Sequence, residues 1–247
     1  VSITAVGTQA GGVTTDLSTT VSRAFGANIT SGNRIVVVAA RGHLDSSHTA
    51  FVAGDCTKSA GTATIGAITL DKTTSIYDPG NNVYIDVGIW SASVTGTGSC
   101  TMQVSSGVAD YWVLGSGEYT SSLSAISVGA TNSGTGTTGA ADSGSVTPSS
   151  YDAVLVGGVG FGSAGATTIT PDAAFTEIYE EENAAAHMIG SVIRRIMTSG
   201  SDSASWTAPT TDYWAAIVVA YTESGGGGGG DLSVSSIGEP VIGGSTF

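Results

Sequence analysis

Positive charge is what this sequence has least of: seven Lys and Arg stand against twenty Asp and Glu, a net charge of −13 over 247 residues. The seven, Arg23, Arg34, Arg41, Lys58, Lys72, Arg194 and Arg195, are scattered, with one adjacent pair. Phosphate binding needs a concentrated basic face, so the sequence argues against a nucleic-acid partner. The same deficit argues against an anionic membrane surface. Charge of either sign is scarce, 11% against about 25% in ordinary globular chains. The surface must therefore be built from Ser, Thr, Asn and Gly, a composition that suits extracellular or virion proteins rather than a cytosolic metabolic enzyme. Long apolar runs are missing too. The longest, Ile35–Ala40 and Trp214–Tyr221, fall far short of the roughly 20 residues that span a bilayer. Cysteine is limited to Cys56 and Cys100. They allow one disulfide, worth roughly 3–4 kcal/mol for a loop of about 45 residues, or else two separate buried thiols.

Helical periodicity is absent over any stretch of twelve residues, and almost every apolar segment reads with period two. In Val83–Trp90 the residues Val83, Ile85, Val87 and Ile89 point one way, and Tyr84, Asp86, Gly88 and Trp90 the other. One face then meets a core and the other solvent or a partner. The turn-forming run Tyr77–Asn82 joins this strand to Thr64–Ile76 as a hairpin. Further strands are predicted at Ser2–Val6, Thr20–Phe25, Arg34–Ala40, Ser99–Val104, Tyr111–Tyr119, Ala125–Gly129, Ala153–Phe161, Phe175–Tyr179, Met188–Met197, Ser203–Trp206 and Trp214–Thr222. About a dozen short strands with turn signals between them give an all-β fold, an antiparallel β-sandwich of jelly-roll-like kind. Ile35–Ala40, Ala153–Val159 and Ala215–Ala220 read as central strands covered on both faces. The low-complexity stretch Ser133–Ser145 is read as a loop within one body, not a boundary.

Six consecutive glycines, Gly225–Gly230, divide a body of residues 1–224 from a C-terminal arm of residues 231–247. Such a run has no preferred backbone geometry and acts as a tether spanning roughly 13 Å as a coil. The arm is too short for a core of its own, yet it carries Leu232, Val234, Ile237, Val241 and Ile242. Leu232 and Val234 alternate with polar residues as in an extended strand, and Pro240 ends any ladder. Burying five such side chains gains at most about 10 kcal/mol, and ordering the backbone at about 1–2 kcal/mol per residue cancels it. The arm is therefore expected to be disordered in an isolated subunit and ordered by a neighbour, by addition to an exposed sheet edge.

Several motifs invite chemistry. Gly160-Phe-Gly-Ser-Ala-Gly165 matches the dinucleotide fingerprint, but the β-branched, proline-broken Ala166–Pro171 follows where a helix N-terminus is needed. His43, Asp45 and His48 offer three potential ligands within six residues, on a loop that sets no common face. Glu177, Glu180, Glu181, Glu182 and His187 form an acidic cluster, read as a solvated edge guarding against pairing rather than a glycosidase pair. Asp78, Asn81 and Asn82 suit Ca²⁺ but equally suit a turn. No nucleophile elbow is present. The expectation is a protein that is not an enzyme and needs no cofactor.

Ser31–Val38, Val83–Gly96, Tyr151–Gly158, Ser203–Trp206 and Asp212–Tyr221, in that order, resemble a broad group of β-sandwich modules found in phage virion proteins and secreted bacterial surface proteins. The resemblance covers about residues 18–223 and rests on packing patterns. It implies the sandwich fold and brings no catalytic residues. The functional expectation is a structural protein of a virion exterior, a capsid decoration or fibre component, whose partners are copies of itself or a lattice. The alternatives are a carbohydrate-binding module, with Trp90, Tyr111 and Trp112 as the aromatic contacts to glycans, and a subunit of a bacterial extracellular filament.

Overall fold

A computed structural model of the chain describes residues 3–44, 48–122, 125–148, 152–162, 168–183 and 188–223. The glycine tether and the arm residues Leu232, Val234, Ile237, Val241 and Ile242 lie outside them, as do Asp45 and His187. The first half of the chain forms β1 (Ile3–Ala24), β2 (Arg34–His43), β3 (Cys56–Ala60), β4 (Thr64–Ile65), β5 (Thr69–Asp78), β6 (Val83–Gly96) and β7 (Thr101–Ser121). The second half forms β8 (Ile126–Gly136), β9 (Ala140–Asp142), β10 (Ala153–Gly162), β11 (Thr170–Pro171), β12 (Thr176–Asn183), β13 (Met188–Met197), β14 (Ser205–Thr207) and β15 (Trp214–Glu223). A single 3₁₀ turn at Ala53–Asp55 is the one helical element among the described residues.

All pairing is antiparallel. The first sheet runs β1-β7-β2-β6, with β4 and β5 on β6 and β3 on β7; the second runs β12-β13-β10-β15-β8; a small third sheet is β11-β14-β9. The two large sheets stack face to face and make the β-sandwich. The hairpin expected around Tyr77–Asn82 is present, with Asp78 opposite Val83 and Tyr77 opposite Tyr84. Two of the longest strands, β1 and β7, each merge two segments that read separately in the sequence. Register shifts interrupt β1 between Val6 and Ala10 and between Thr14 and Thr20, and Gly107 takes a left-handed φ of 76° in β7. Bulges of this kind break the period-two pattern without ending the strand. The stretch read as a loop at Ser133–Ser145 instead contributes the end of β8 and all of β9.

The main correction concerns burial. Alternation along Val83–Trp90 is real, but both of its faces are covered. Val83, Ile85, Val87 and Ile89 join Val36, Val38, Val113, Val154, Val156, Ile217 and Val219 in the core between the sheets. Trp90, Ala92 and Val94 join Ile35, Val37, Ala39, Trp112 and Leu114 in a second core on the outer face of the first sheet, capped by Phe51, Val21, Ile29 and Cys56. The third sheet caps the outer face of the second sheet in the same way, with Trp206 and Ala141 over Leu155, Val159, Phe161, Ile193 and Val218. Three stacked apolar layers explain how the chain remains so poor in charge: much of its strand surface never meets water.

Close sheet stacking also explains the glycine fingerprint. A Cβ on Gly158 would lie 2.5 Å from Cγ1 of Val38, and one on Gly160 would lie 2.8 Å from Cγ2 of Ile85. Both distances are well inside contact, so these positions admit no side chain. Gly160 and Gly162 are there to let valine and isoleucine of the opposite sheet fit, not to cradle a pyrophosphate.

Candidate functional site

At one end of the first sheet the outer core gives way to charge. On β2 the side chains of Ile35, Val37 and Ala39 face the outer core, and the same alternation brings Arg41 and His43 to that face. Pairing sets Arg41 opposite Asp86 of β6 and opposite Trp112 of β7. Asp110, two residues before Trp112, shares the face. The result is a linear chain of five groups, His48–Asp86–Arg41–Asp110–His43. Arg41 Nε donates to Asp86 Oδ2 at 2.7 Å and Nη1 reaches Asp110 Oδ2 at 3.4 Å. His48 Nε2 meets Asp86 Oδ1 at 2.7 Å and His43 Nδ1 meets Asp110 Oδ1 at 2.6 Å. Arg41 Nη2 donates to the backbone carbonyl of Thr49, tying down the segment that follows His48. The guanidinium lies 4.4 Å from the ring centre of Phe51, so its cationic face is covered as well.

Burial is nearly complete. Arg41 and His43 are 3% exposed, and Asp86 and Asp110 are 0%. Charges so placed survive only if each is paired and hydrogen-bonded, and each carboxylate here accepts from two partners. One group is left over: among the described residues His43 Nε2 is buried without a partner. His43 lines a surface cavity of about 60 Å³ together with Arg41, Thr49, Ser106 and Val108. From the other end of the chain an aromatic ladder leads outward. His48 stacks on Tyr84 at 3.9 Å, and Tyr84 meets Tyr77, which is exposed, at 4.8 Å.

Of the metal-like triplet, His43 and His48 thus come together, but each is engaged by its own aspartate with ring centres 5.9 Å apart. Among the described residues no set of three His, Cys, Asp or Glu is arranged to hold a metal. The Ca²⁺ candidate resolves into turn chemistry. Asp78 accepts from Gly80 N at 2.8 Å and from Asn81 Nδ2 at 2.7 Å, and Asn82 adopts a left-handed φ of 53°.

The glycan contacts expected at Trp90, Tyr111 and Trp112 are overturned. Trp90 and Trp112 are fully buried and Tyr111 nearly so. Trp90 Nε1 donates to Val52 O and Trp112 Nε1 to Ser18 O. Their polar atoms are satisfied internally and their faces are covered by core. Cys56 and Cys100 are two free, buried thiols, not a disulfide. Burial, then the neighbouring Asp55 and Cys100, pushes the Cys56 thiol up to about 12, and burial also raises Cys100. Neither is a reactive thiolate.

The four glutamates of the acidic cluster lie on β12, an edge strand, and Glu177 and Glu180 are engaged in hydrogen bonds. A register shift between Glu177 and Tyr179 puts Glu177 and Glu180 on one face. Glu180 accepts from Ile169 N at 3.2 Å, while Ser191 Oγ donates to Glu177 at 3.1 Å. Partial burial, then the Glu177 carboxylate, raises Glu180 from 4.5 to about 7. A raised carboxyl binds its proton more tightly folded than unfolded. Its contribution to stability is therefore full below about 4.5 and lost as pH rises through about 7. Glu180→Gln should melt higher than the parent at pH 8, with the difference closing by pH 5. A constant difference across that range in paired thermal melts would refute the assignment.

Arg41, Asp86 and Asp110 were not singled out in the sequence. The available signal was a charged residue amid the apolar residues of each of three strands, in a chain with very few charges to place. No helix among the described residues is long and apolar enough to cross a membrane. No family model, no curated protein and no solved structure matches the chain.

Proposed function

We propose that this chain is a non-enzymatic structural protein of a virion exterior, a capsid decoration or fibre component, that assembles through its β-sandwich and its C-terminal arm. The observation that supports this best is the triple apolar layering. Both large sheets are covered on both faces, which makes a stiff body whose remaining surface is acidic and rich in hydroxyls. Such a surface suits exposure outside cells, on a virion or in an extracellular assembly, with copies of the same chain or a lattice as partner.

The sheet edges suggest where the arm docks. In the second sheet the sequence of β12 includes Glu177, Glu180, Glu181 and Glu182, whereas β8 at the opposite edge carries no charged residue and no proline. Edges are normally blunted by such residues, so β8 of a neighbouring copy is the favoured acceptor for the segment from Asp231 to Gly238. Deleting residues 231–247 should leave the melting temperature of the body nearly unchanged and weaken self-association measured by analytical ultracentrifugation. Assembly of the truncated chain equal to that of the full chain would overturn the reading.

A further inference from the structure

The edge of β8 differs from the other edges of the two large sheets in charge and in cover. The sequence of β1 includes Asp16 and Arg23, that of β3 Lys58, that of β5 Asp71, Lys72 and Asp78, and that of β12 four glutamates. The remaining edge strand, β4, is only two residues long. At β8 the core between the sheets also stops short of closure. Ile126 is buried, but Val128 of β8 and Ile76 of β5 pack on that core while only partly buried, and β5 and β8 lie next to each other across the seam. The arm has residues that suit this place. Leu232-Ser-Val234 repeats the apolar-Ser-apolar pattern of Ile126-Ser-Val128. A strand added to β8 covers the seam when Leu232 and Val234 turn to the side of Val128, and a slip of one residue would turn both away.

Strand direction decides whose arm this is. β15 ends at Glu223, opposite Ile126 at the start of β8. Ser224–Gly230 follow, a tether of roughly 15 Å as a coil. The arm of the same copy would therefore begin beside Ile126 and run toward Gly136, parallel to β8. Every pairing among the described strands is antiparallel, the more stable ladder per residue. An antiparallel strand enters beside Gly136 and leaves beside Ile126. β8 has 11 residues, so its ends are about 33 Å apart, beyond the roughly 27 Å between Glu223 and Asp231 at full stretch.

We infer that the strand completing the β8 edge comes from a second copy, runs antiparallel, and brings the Glu223 end of the donor to the Gly136 end of the acceptor. The inference rests on the assembly reading and adds to it a direction and a placement: opposite ends of two sandwiches lie within the roughly 27 Å that the tether allows.

The test mixes full-length chains, one of each pair labelled with ¹⁵N so that heterodimers are recognised by mass. One chain carries Ser233→Cys in the arm. The other carries Thr135→Cys, exposed near the end of β8, or the half-buried Ser127→Cys at its start. Cys56 and Cys100 are buried and their thiols raised, so a short bis-maleimide joins the introduced thiols. The heterodimer should form at least tenfold faster with Thr135→Cys than with Ser127→Cys. Thr135→Glu, which gives β8 a charge of the kind found in β12, should weaken self-association at least tenfold and leave the melting temperature unchanged. Equal or faster cross-linking at Ser127 would show a parallel strand and overturn the inference, as would self-association untouched by Thr135→Glu. If neither mixture gives a heterodimer while deletion of 231–247 still weakens assembly, the arm docks elsewhere, so the inference fails and the assembly reading stands. Deletion without effect would overturn both.

Discussion

Asp86→Ala should destabilise the protein by about 3–5 kcal/mol, the cost of breaking a buried ion pair by removing one partner. Asp86 is fully buried and accepts from Arg41 Nε and His48 Nε2 on separate oxygens. Without it, Arg41 keeps only the longer contact to Asp110 and the Thr49 carbonyl, and a cation stays in an apolar layer beside Phe51 and Trp112. Asp86→Asn separates the charge from the hydrogen bonding. The amide oxygen still accepts from one partner but the countercharge is gone, so its loss should fall between the parent and Asp86→Ala. Replacing Arg41 and Asp86 together, as in the double variant Arg41→Met with Asp86→Leu, should recover part of the loss and not all of it, since buried Asp110 then keeps His43 but loses the guanidinium. Apolar substitution of a whole buried pair is often neutral or stabilising. Urea unfolding of the four proteins measures all of this. An Asp86→Ala variant within about 0.5 kcal/mol of the parent, the range of ordinary surface changes, would show that the network is solvated and not buried.

The same five residues show why sequence reveals strands more readily than sites. Period two located most strands, because a half-buried or buried strand must repeat its apolar residues at that spacing. Val83–Trp90 and its hairpin are the clearest case. What covers a sheet's outer face is not periodic. The outer core of the first sheet is closed by Phe51, Ile29 and Cys56, single apolar residues set in segments outside the predicted strands. Once those segments fold over, the face of Val83–Trp90 carrying Asp86 and Trp90 becomes interior, and Asp86 changes from a surface charge into a buried one. Its partners come from distant parts of the chain. Arg41 is 45 residues away and bonds to Asp110, a further 24 on. Only strand order and register bring the three together. His43 and His48 stood out because they are close in sequence, and proximity suggested one metal. The fold instead turns each histidine to its own carboxylate. Glycine shows a related limit. Gly160 and Gly162 look like a loop motif, and their real constraint is the opposite sheet.

Trp112→Ala should cost about 3–5 kcal/mol, the range for truncating a large aromatic side chain in a packed core. The indole is fully buried and lies 5.9 Å from Phe51 between ring centres, with the Arg41 guanidinium 6.0 Å away on its other contact. It therefore supports both the outer core and the charged end of the sheet. Its Nε1 donates to Ser18 O at 2.8 Å, which pins β1 against β7 near the register shift between Thr14 and Ser18. Truncation removes that bond as well as the packing, so the loss should exceed that of Trp112→Phe, which keeps much of the volume and loses the donor. The magnitude separates two roles for the same residue. A tryptophan serving as an exposed sugar platform would change stability by no more than about 0.5 kcal/mol on truncation and would abolish binding. A core tryptophan lowers the urea midpoint sharply. Because Trp112 and Arg41 are in contact, the effects of Trp112→Ala and Asp86→Ala should not add. A double-variant loss smaller than the sum of the singles, by at least the 0.5 kcal/mol that marks coupled neighbours, is the expected result. Strict additivity would mean that the aromatic layer and the buried charges are independent, against the packing of Phe51, Trp112 and Arg41 on one face of the sheet.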